Sequence, residues 1–226
     1  MENISSGPSD SGVHFSTTFA QDLTRTGCTF EVRRYANGEV IFSEGNPCAG
    51  LYVVKLGRVK LLRSSDDKQQ LLALAAPGDP LDLVPLLDGG PHTCAAKARG
   101  PIELFFLDSA SARELVWNNP DLLMAVMHAV GDRLRDLCNQ VTSLAFKDVK
   151  SRVCEWLLQM AEHEGRQEPD GIHFERVLSQ RELAAHIGTG REVVWRALKK
   201  LEDDKVISVD GNDIVVLEPE RLAALV

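Results

Sequence analysis

Three charged residues close together in the C-terminal third, Arg191, Glu192 and Arg196, have side chains that can read DNA base pairs. An arginine can donate two hydrogen bonds to the edge of a guanine, and a glutamate can accept one from the amino group of a cytosine. Arg196 follows Glu192 by four residues, so an α-helix would present both from its polar side. The pattern predicts a helix whose polar side contacts base edges.

Two short helices joined by a glycine turn are predicted around these residues. Ser179 and Glu182 have the spacing of a capping box, which begins a helix, and Gly188 can end that helix in a left-handed conformation. Thr189 and Glu192 repeat the capping-box spacing and predict the start of a second helix. Apolar residues recur at helical spacing in both segments: Leu183, Ala184 and Ile187, then Val193, Val194, Ala197, Leu198 and Leu201. This order indicates a DNA-binding helix-turn-helix.

The residues after the second helix predict a β-hairpin, because Asp210 and Gly211 separate two runs rich in β-branched residues. A hairpin at this place indicates the winged form of the motif. Charge also favours DNA contact, since residues 176–200 contain six basic and two acidic side chains in a chain of net charge -8. A basic segment in an acidic chain is typical of local contact with phosphate.

Length and composition limit the class of protein. The 226 residues, 44% of them hydrophobic, suit about two domains with ordinary cores. No apolar run reaches the roughly 18 residues of a membrane span, and the N-terminus does not resemble a signal peptide, so a cytoplasmic protein is expected. Five scattered cysteines argue against a disulfide framework. The sequence contains no nucleophile elbow, P-loop, dinucleotide fingerprint or HExxH motif, so no enzyme activity is expected.

The N-terminal half predicts a β-sandwich or barrel between Phe30 and Asp108, because short apolar runs alternate with glycine and proline turns. The predicted strands are Val40–Phe42, Leu51–Val54, Val59–Arg63, Gln70–Leu74 and Ile102–Leu107. Ser109 is the predicted N-cap of a short helix, and Pro120 the predicted start of a long one. Apolar residues recur along the long helix at the spacing of a coiled-coil-like dimer seam: Val126, Val130, Leu134, Leu137, Val141 and Leu144. The alternative is a helix packed on its own barrel.

Three segments resemble the Crp/Fnr family of bacterial transcription regulators, which includes the cyclic-AMP receptor protein. LAFKDVKSRV, residues 144–153, resembles the hinge between that family's two domains, and GREVVWRALKKLEDDKVIS, residues 190–208, resembles its recognition helix and wing. Residues 35–62 have the glycine rhythm of its barrel. The resemblance covers roughly residues 20–220.

The resemblance implies an α+β fold with three parts after a disordered segment at residues 1–19. These are a cyclic-nucleotide-binding-type β-barrel (jelly roll) at residues 20–119, a long dimerisation helix at 120–145 and a winged helix-turn-helix domain at 146–226. The implied function is that of a homodimeric regulator under allosteric control, which binds double-stranded DNA and contacts RNA polymerase.

The resemblance also implies which residues contact DNA. Arg191, Glu192 and Arg196 match the base-reading residues, which implies a pseudo-palindrome with TGTGA-like half-sites. The implied phosphate contacts lie at the helix starts and along the second helix: Ser179, Gln180, Arg181, Gly190 and Lys199. Trp195 occupies a position where the family often has a small residue, and two roles stay open for it: contact with a thymine methyl group or a sugar, or packing inward.

The sensor departs from the family's cyclic-AMP pocket. The family's Gly-Glu pair falls on Asp82 and Leu83, and its phosphate-binding Arg-Ser pair on Thr93 and Cys94. The two polar positions of the long helix that face the nucleotide fall on Leu137 and Cys138. A cyclic phosphate needs a cation and donors, so cyclic AMP is not the expected effector.

Several other signals stay open. His92 and Cys94 could bind a metal or haem iron near the phosphate corner, and the family includes haem-based gas sensors. A thiol switch through Cys94, Cys138 or Cys48 is another reading. A small apolar effector and a vestigial sensor with constitutive DNA binding are the remaining alternatives.

Overall fold

The computed structural model describes residues 19, 23, 25–65 and 68–226. These divide into two compact units, one ending at Phe146 and the other beginning at Lys147. Most of the segment predicted to be disordered, residues 1–18, lies outside the described residues. Its last residue, Phe19, is fully buried in the first unit, so the segment ends earlier than predicted.

The first unit is an antiparallel sheet whose strands alternate with tight turns, as predicted. Its strands are β1 (Glu31–Tyr35), β2 (Val40–Phe42), β3 (Gly50–Ser65), β4 (Lys68–Ala75), β5 (Pro80–Leu81) and β6 (Ala95–Asp108). The order is β1-β6-β3-β4, with β2 paired to β6 and β5 paired to β3. Inward side chains from five strands form one core cluster that includes Phe42, Tyr52, Leu61, Ala73 and Leu104.

Two of the predicted strands, Leu51–Val54 and Val59–Arg63, are parts of the single strand β3. The predicted break between them was wrong. The register of β3 against β6 shifts between Val54 and Leu56 and again between Leu56 and Arg58. Gly57 has a φ of 86° at this point. The glycine therefore bends the strand without ending it, because the ladder resumes on both sides of the irregularity.

Three helices complete the first unit: α1 (Val84–Asp88), α2 (Ser109–Trp117) and α3 (Pro120–Phe146). The predicted N-cap of α2, Ser109, is wrong by one residue. Asp108 caps the helix, and its carboxylate accepts hydrogen bonds from the backbone N–H groups of Ala110 and Ser111. Helices α2 and α3 pack on β3 and β6 through a second core cluster that includes Leu51, Leu107, Ala112, Val116 and Leu122.

The long helix α3 behaves differently in its two halves. Val126 is fully buried in the second core cluster, so it cannot belong to the predicted dimer seam. Val130 is partly buried against the same cluster. In the second half the apolar residues face away from this core, with Leu134 61%, Val141 65% and Leu144 40% exposed. The first half is thus packed on its own barrel, and the second half has an uncovered apolar side.

The second unit contains four helices and a four-stranded sheet. In chain order these are α4 (Val149–Glu164), β7 (Arg166–Glu168), β8 (Gly171–Glu175), α5 (Gln180–Ile187), α6 (Arg191–Asp203), β9 (Ile207–Asp210), β10 (Asp213–Val216) and α7 (Pro219–Ala223). The sheet order is β7-β8-β10-β9. The predicted hairpin is β9–β10, in which Asp210 pairs with Asp213 across a two-residue turn. The hairpin β7–β8 was not predicted, although Pro169-Asp170-Gly171 is a turn signal.

No helix among the described residues is both long and apolar enough to cross a membrane.

Candidate DNA interface and effector corner

The first helix of the predicted motif, α5, begins with a complete capping box. The Ser179 hydroxyl accepts from the Glu182 backbone N–H at 3.3 Å, and the Glu182 carboxylate accepts from the Ser179 backbone N–H at 2.9 Å. Gly188 ends the helix with a φ of 74°, a conformation that glycine adopts without strain. Local sequence therefore determines both ends of α5, as predicted.

The second helix, α6, begins one residue later than the predicted cap at Thr189. Gly190 is the N-cap, and no side chain caps the helix. A Cβ atom added at Gly190 would have no neighbour within 4 Å, so this turn is open on the outside. Among the other predicted phosphate contacts, Ser179 and Arg181 are exposed and Gln180 is half-buried. They occupy the start of α5, as the resemblance implies.

The two sides of α6 have opposite character. Val194, Leu198 and Leu201 are buried and hold the helix against the rest of the unit. Arg191, Glu192 and Arg196 are exposed on the other side, and none of the three forms an ion pair with another described residue. These three side chains are therefore free to contact a partner outside the protomer.

The basic residues at the end of α6 are partly neutralised. Lys199 lies 3.0 Å from the Glu202 carboxylate and 3.5 Å from that of Asp203. Lys200 lies 2.8 Å from the Asp204 carboxylate. These contacts raise the pKa of both lysines. A phosphate at Lys199 would have to compete with two carboxylates, so Arg191 and Arg196 are the cations of α6 that form no ion pair with another described residue.

Trp195 lies on the exposed side of α6, and 52% of its surface is exposed. Inward packing, one of the two roles considered for it, is thereby excluded in this unit.

The residues aligned with the family's nucleotide pocket around Asp82, His92 and Thr93 form what is called the effector corner here. The Asp82 carboxylate contacts three groups of this corner. It lies 3.0 Å from His92 Nδ1, and it accepts hydrogen bonds from the Thr93 backbone N–H and the Thr93 hydroxyl, both at 2.8 Å. The side chains of Asp82 and His92 are 2% and 1% exposed. Asp82 has a φ of 39°, which is strained for a residue with a Cβ. The predicted pocket residues Asp82, His92 and Thr93 are thus brought together.

The other predicted pocket residues lie in different surroundings. Leu83 is buried in the core between helices and sheet, and Cys94 in the core inside the sheet. Burial, together with the negative charge of Asp82, raises the pKa of the Cys94 thiol to about 12. On α3, Leu137 is half-buried and Cys138 is exposed. Cys94 is therefore a neutral core thiol, and Leu83 and Cys94 belong to two different core clusters.

Two residues of α3 that were not singled out from sequence contact the sheet. The register of β3 and β4 shifts at Leu72, where Leu61 pairs with Ala73 and Leu62 with Leu71. The Leu72 carbonyl accepts hydrogen bonds from Arg133 Nη1 and Gln140 Nε2, both at 3.2 Å. The bulge gives this carbonyl a partner on the helix, so α3 and β4 are directly linked.

Arg133 lies close enough to Asp82 and Cys94 for their charges to act on it. Burial lowers its pKa, while the charges of Asp136, Cys94 and Asp82 act in the opposite direction. The sequence signal for this contact was an arginine within the long helix, at position 133, among the apolar residues that the pattern assigns to its packed side.

The metal candidates His92 and Cys94 do not form a cluster of ligands. Among the described residues, one group of three His, Cys, Asp or Glu side chains has its ligand atoms within 4.8 Å of one another, and it consists of Glu168, Asp170 and His173 on the β7–β8 hairpin. The His173 Nε2 atom lies 2.8 Å from Asp170 Oδ1. This hydrogen bond lowers the pKa of Asp170.

Comparisons with known proteins match both units. Residues 32–119 match the cyclic nucleotide-binding domain, and residues 151–225 match the Crp-like helix-turn-helix domain. The CRP-like cAMP-activated global transcriptional regulator of Mycobacterium tuberculosis (strain CDC 1551 / Oshkosh) is 30% identical over 190 residues, which are 84% of this chain and 85% of the relative. The cAMP-activated global transcriptional regulator CRP of Pasteurella multocida (strain Pm70) is 32% identical over 188 residues, with 82% and 89% coverage.

A solved structure has the same fold. The c-di-GMP-responsive global regulator CLP of Xanthomonas campestris superposes with a TM-score of 0.74 at 25% identity, and the match covers 87% of this chain and 98% of CLP. The barrel domain, the helix-turn-helix and these relatives agree with one another. This chain therefore belongs to the Crp/Fnr family of DNA-binding transcription regulators.

Proposed function

We propose that this regulator is a homodimer that binds pseudo-palindromic DNA with TGTGA-like half-sites and responds to a signal other than cyclic AMP. The exposed side of α6 is the observation that supports the DNA specificity most directly. Arg191, Glu192 and Arg196 lie there without ion pairs to other described residues, and their donors and acceptors suit guanine and cytosine edges. The proposal also includes contact with RNA polymerase and a cytoplasmic location, which membership of this family of transcription regulators suggests.

A binding measurement with three duplexes tests this function. The duplexes carry two TGTGA half-sites with centres about one helical turn apart, one half-site, or a scrambled sequence. We expect the strongest binding to the two-half-site duplex and the weakest to the scrambled one. Equal affinity for all three duplexes at the same salt concentration would contradict the proposal.

Dimer formation would use the second half of α3. Leu134, Val141 and Leu144 recur at seam spacing and are exposed in the protomer. A parallel pair of these helices would cover the apolar side and bring two recognition helices to one operator. The first half of α3 stays on the barrel, so the proposed seam is shorter than the six residues that the sequence indicates.

The effector corner supports a signal other than cyclic AMP, although two of the relatives described above are cAMP-activated. The positions aligned with the family's phosphate-binding Arg and Ser are Thr93 and Cys94, neither of which carries a positive charge. The Thr93 backbone N–H and hydroxyl already donate to Asp82. A cyclic phosphate would have to displace a buried carboxylate and would meet its charge, which is unfavourable.

The surroundings of His92 argue against haem at this corner. The His92 ring is 1% exposed and stacks on Phe42 with ring centroids 3.7 Å apart, and its Nδ1 atom already contacts Asp82. Cys94 is a protonated thiol in the core, whereas iron and zinc bind thiolate. The same protonation argues against Cys94 as a redox switch, because the thiolate is the reactive form.

Constitutive DNA binding is a second candidate, and the Asp82 cluster favours it specifically. Asp82 accepts hydrogen bonds from both donors of Thr93 and contacts His92 Nδ1, so these groups are paired without a ligand, although the buried His92 Nε2 atom has no hydrogen-bond partner among the described residues. A regulator of this kind would bind its operator equally well with and without any added small molecule. A ligand that changes operator affinity would instead favour the effector-responsive reading.

Coupling between sensor and DNA-binding unit would run along α3. Arg133 and Gln140 connect this helix to the Leu72 carbonyl in β4. A ligand that moves β4 would therefore pull on the helix, and a hinge near Phe146 to Asp148 would reorient the recognition helices. The signal would be read as a shift of the paired helices.

A further inference from the structure

Trp195 is the exposed residue of α6 that the proposed base and phosphate contacts do not use. Its side chain is 52% exposed, and it has no hydrogen bond or ring contact with another residue in the described part of the chain. Single exposed apolar residues are common on protein surfaces. The position of this one, and not its exposure alone, gives it a role.

The indole lies in the middle of the DNA-reading side of the helix. Arg191 precedes it by one turn and Lys199 follows it by one turn. Its neighbour in sequence, Val194, is fully buried and fixes the inward side of α6. An orientation of α6 that brings Arg191 and Arg196 to base edges must therefore also bring Trp195 into the major groove.

The major groove offers one apolar feature to an aromatic side chain. That feature is the C5 methyl group of thymine, which is the point at which thymine differs from every other base in the groove. An indole has a large apolar surface and a single donor, Nε1–H. It therefore suits a methyl group better than it suits the acceptors of guanine or the charge of a phosphate.

We propose that Trp195 is a specificity-determining residue that reads the methyl group of one thymine in each half-site. This inference rests on the proposed DNA-binding function and adds an apolar contact to the charged ones of Arg191, Glu192 and Arg196. The contact distinguishes thymine from deoxyuridine, which pairs identically and lacks only the methyl group.

The test begins with a duplex selected from random DNA by the full-length protein. Each thymine of the selected duplex is then replaced in turn by deoxyuridine, and the affinity is measured by fluorescence anisotropy. We expect one replacement per half-site to weaken binding about fourfold, the factor that corresponds to about 0.8 kcal/mol for a buried methyl group. Trp195→Ala should bind the thymine and deoxyuridine duplexes equally, and Trp195→Phe should keep part of the difference.

Trp117→Ala is the matched control, because Trp117 is 58% exposed and lies in the other unit. This variant should respond to deoxyuridine as the unaltered protein does, and the circular dichroism of all variants should be unchanged. The inference alone is overturned if a sequence is selected but no thymine methyl affects binding, or if Trp195→Ala keeps the full difference. If no sequence is enriched, the proposed function fails and the inference with it.

Discussion

In the proposed complex with DNA, charged residues of α6 would contact base edges and the apolar Trp195 would contact a methyl group. Arg191, Glu192 and Arg196 have no intramolecular ion partner among the described residues, whereas Lys199 is held by Glu202 and Asp203. An arginine without an intramolecular partner gives up no ion pair when it binds a base. The residues with free charges should therefore contribute to base choice, and Lys199 should contribute less than its charge suggests.

Substitution of Arg196 tests this division. Arg196→Ala should weaken operator binding by about 1–3 kcal/mol and relax the base preference at one position, because a bidentate contact to guanine is lost. Binding to operators with each base at that position, measured by anisotropy, gives the preference. Arg166→Ala removes another exposed arginine of the same unit and should change neither quantity. Equal losses on specific and random DNA would show that Arg196 contacts phosphate instead.

Cys94 provides a prediction for the sensor. Because burial raises the pKa of its thiol to about 12, it should stay protonated and unreactive in the folded protein at pH 8. Titration with a thiol reagent should count the same number of reactive thiols in Cys94→Ser as in the unaltered protein. After unfolding, the variant should have one thiol fewer. A missing thiol in the folded variant would contradict the burial of Cys94 and reopen a thiol switch there.

Whole elements were predicted most accurately where their limits depend on neighbouring residues. The capping box at Ser179 and the turn at Gly188 determine α5 locally, so the sequence predicts it without knowledge of the fold. Val126 shows the limit of such reasoning. Its spacing fits a dimer seam, but its burial against α2 and the sheet depends on contacts distant in sequence. The sequence placed Asp82, His92 and Thr93 in one pocket, but it did not predict that the Asp82 carboxylate contacts both of the others, because those contacts depend on how the chain folds at this corner.

The second half of α3 gives a prediction about assembly. Leu134→Glu should weaken dimerisation at least about 100-fold, because each buried leucine contributes about 1.5 kcal/mol or more and a symmetric dimer contains it twice. Analytical ultracentrifugation over a range of concentrations measures the change. Leu56→Glu is the control, since Leu56 on β3 is 60% exposed, as much as Leu134 at 61%. An unchanged dimer in Leu134→Glu would contradict the seam.

At the scale of the whole molecule, a negatively charged protein must bind negatively charged DNA. The net charge of -8 opposes association with DNA, and the exposed Arg191 and Arg196 of α6, which form no ion pair with another described residue, favour it locally. Specific hydrogen bonds and apolar contacts must then supply much of the affinity. The regulator should accordingly discriminate strongly between operator and random DNA at moderate salt, where nonspecific phosphate contact is weak.

The effect of cyclic AMP on operator binding tests the central claim, which combines DNA reading by α6 with a sensor that is not a cyclic-AMP pocket. Anisotropy would be recorded with the two-half-site duplex and a scrambled duplex, each with and without a large excess of cyclic AMP. We predict a clear preference for the two-half-site duplex and the same affinity in both conditions, because Asp82 occupies the donors of Thr93. Preference that appears only with cyclic AMP, or no preference at all, would contradict the account.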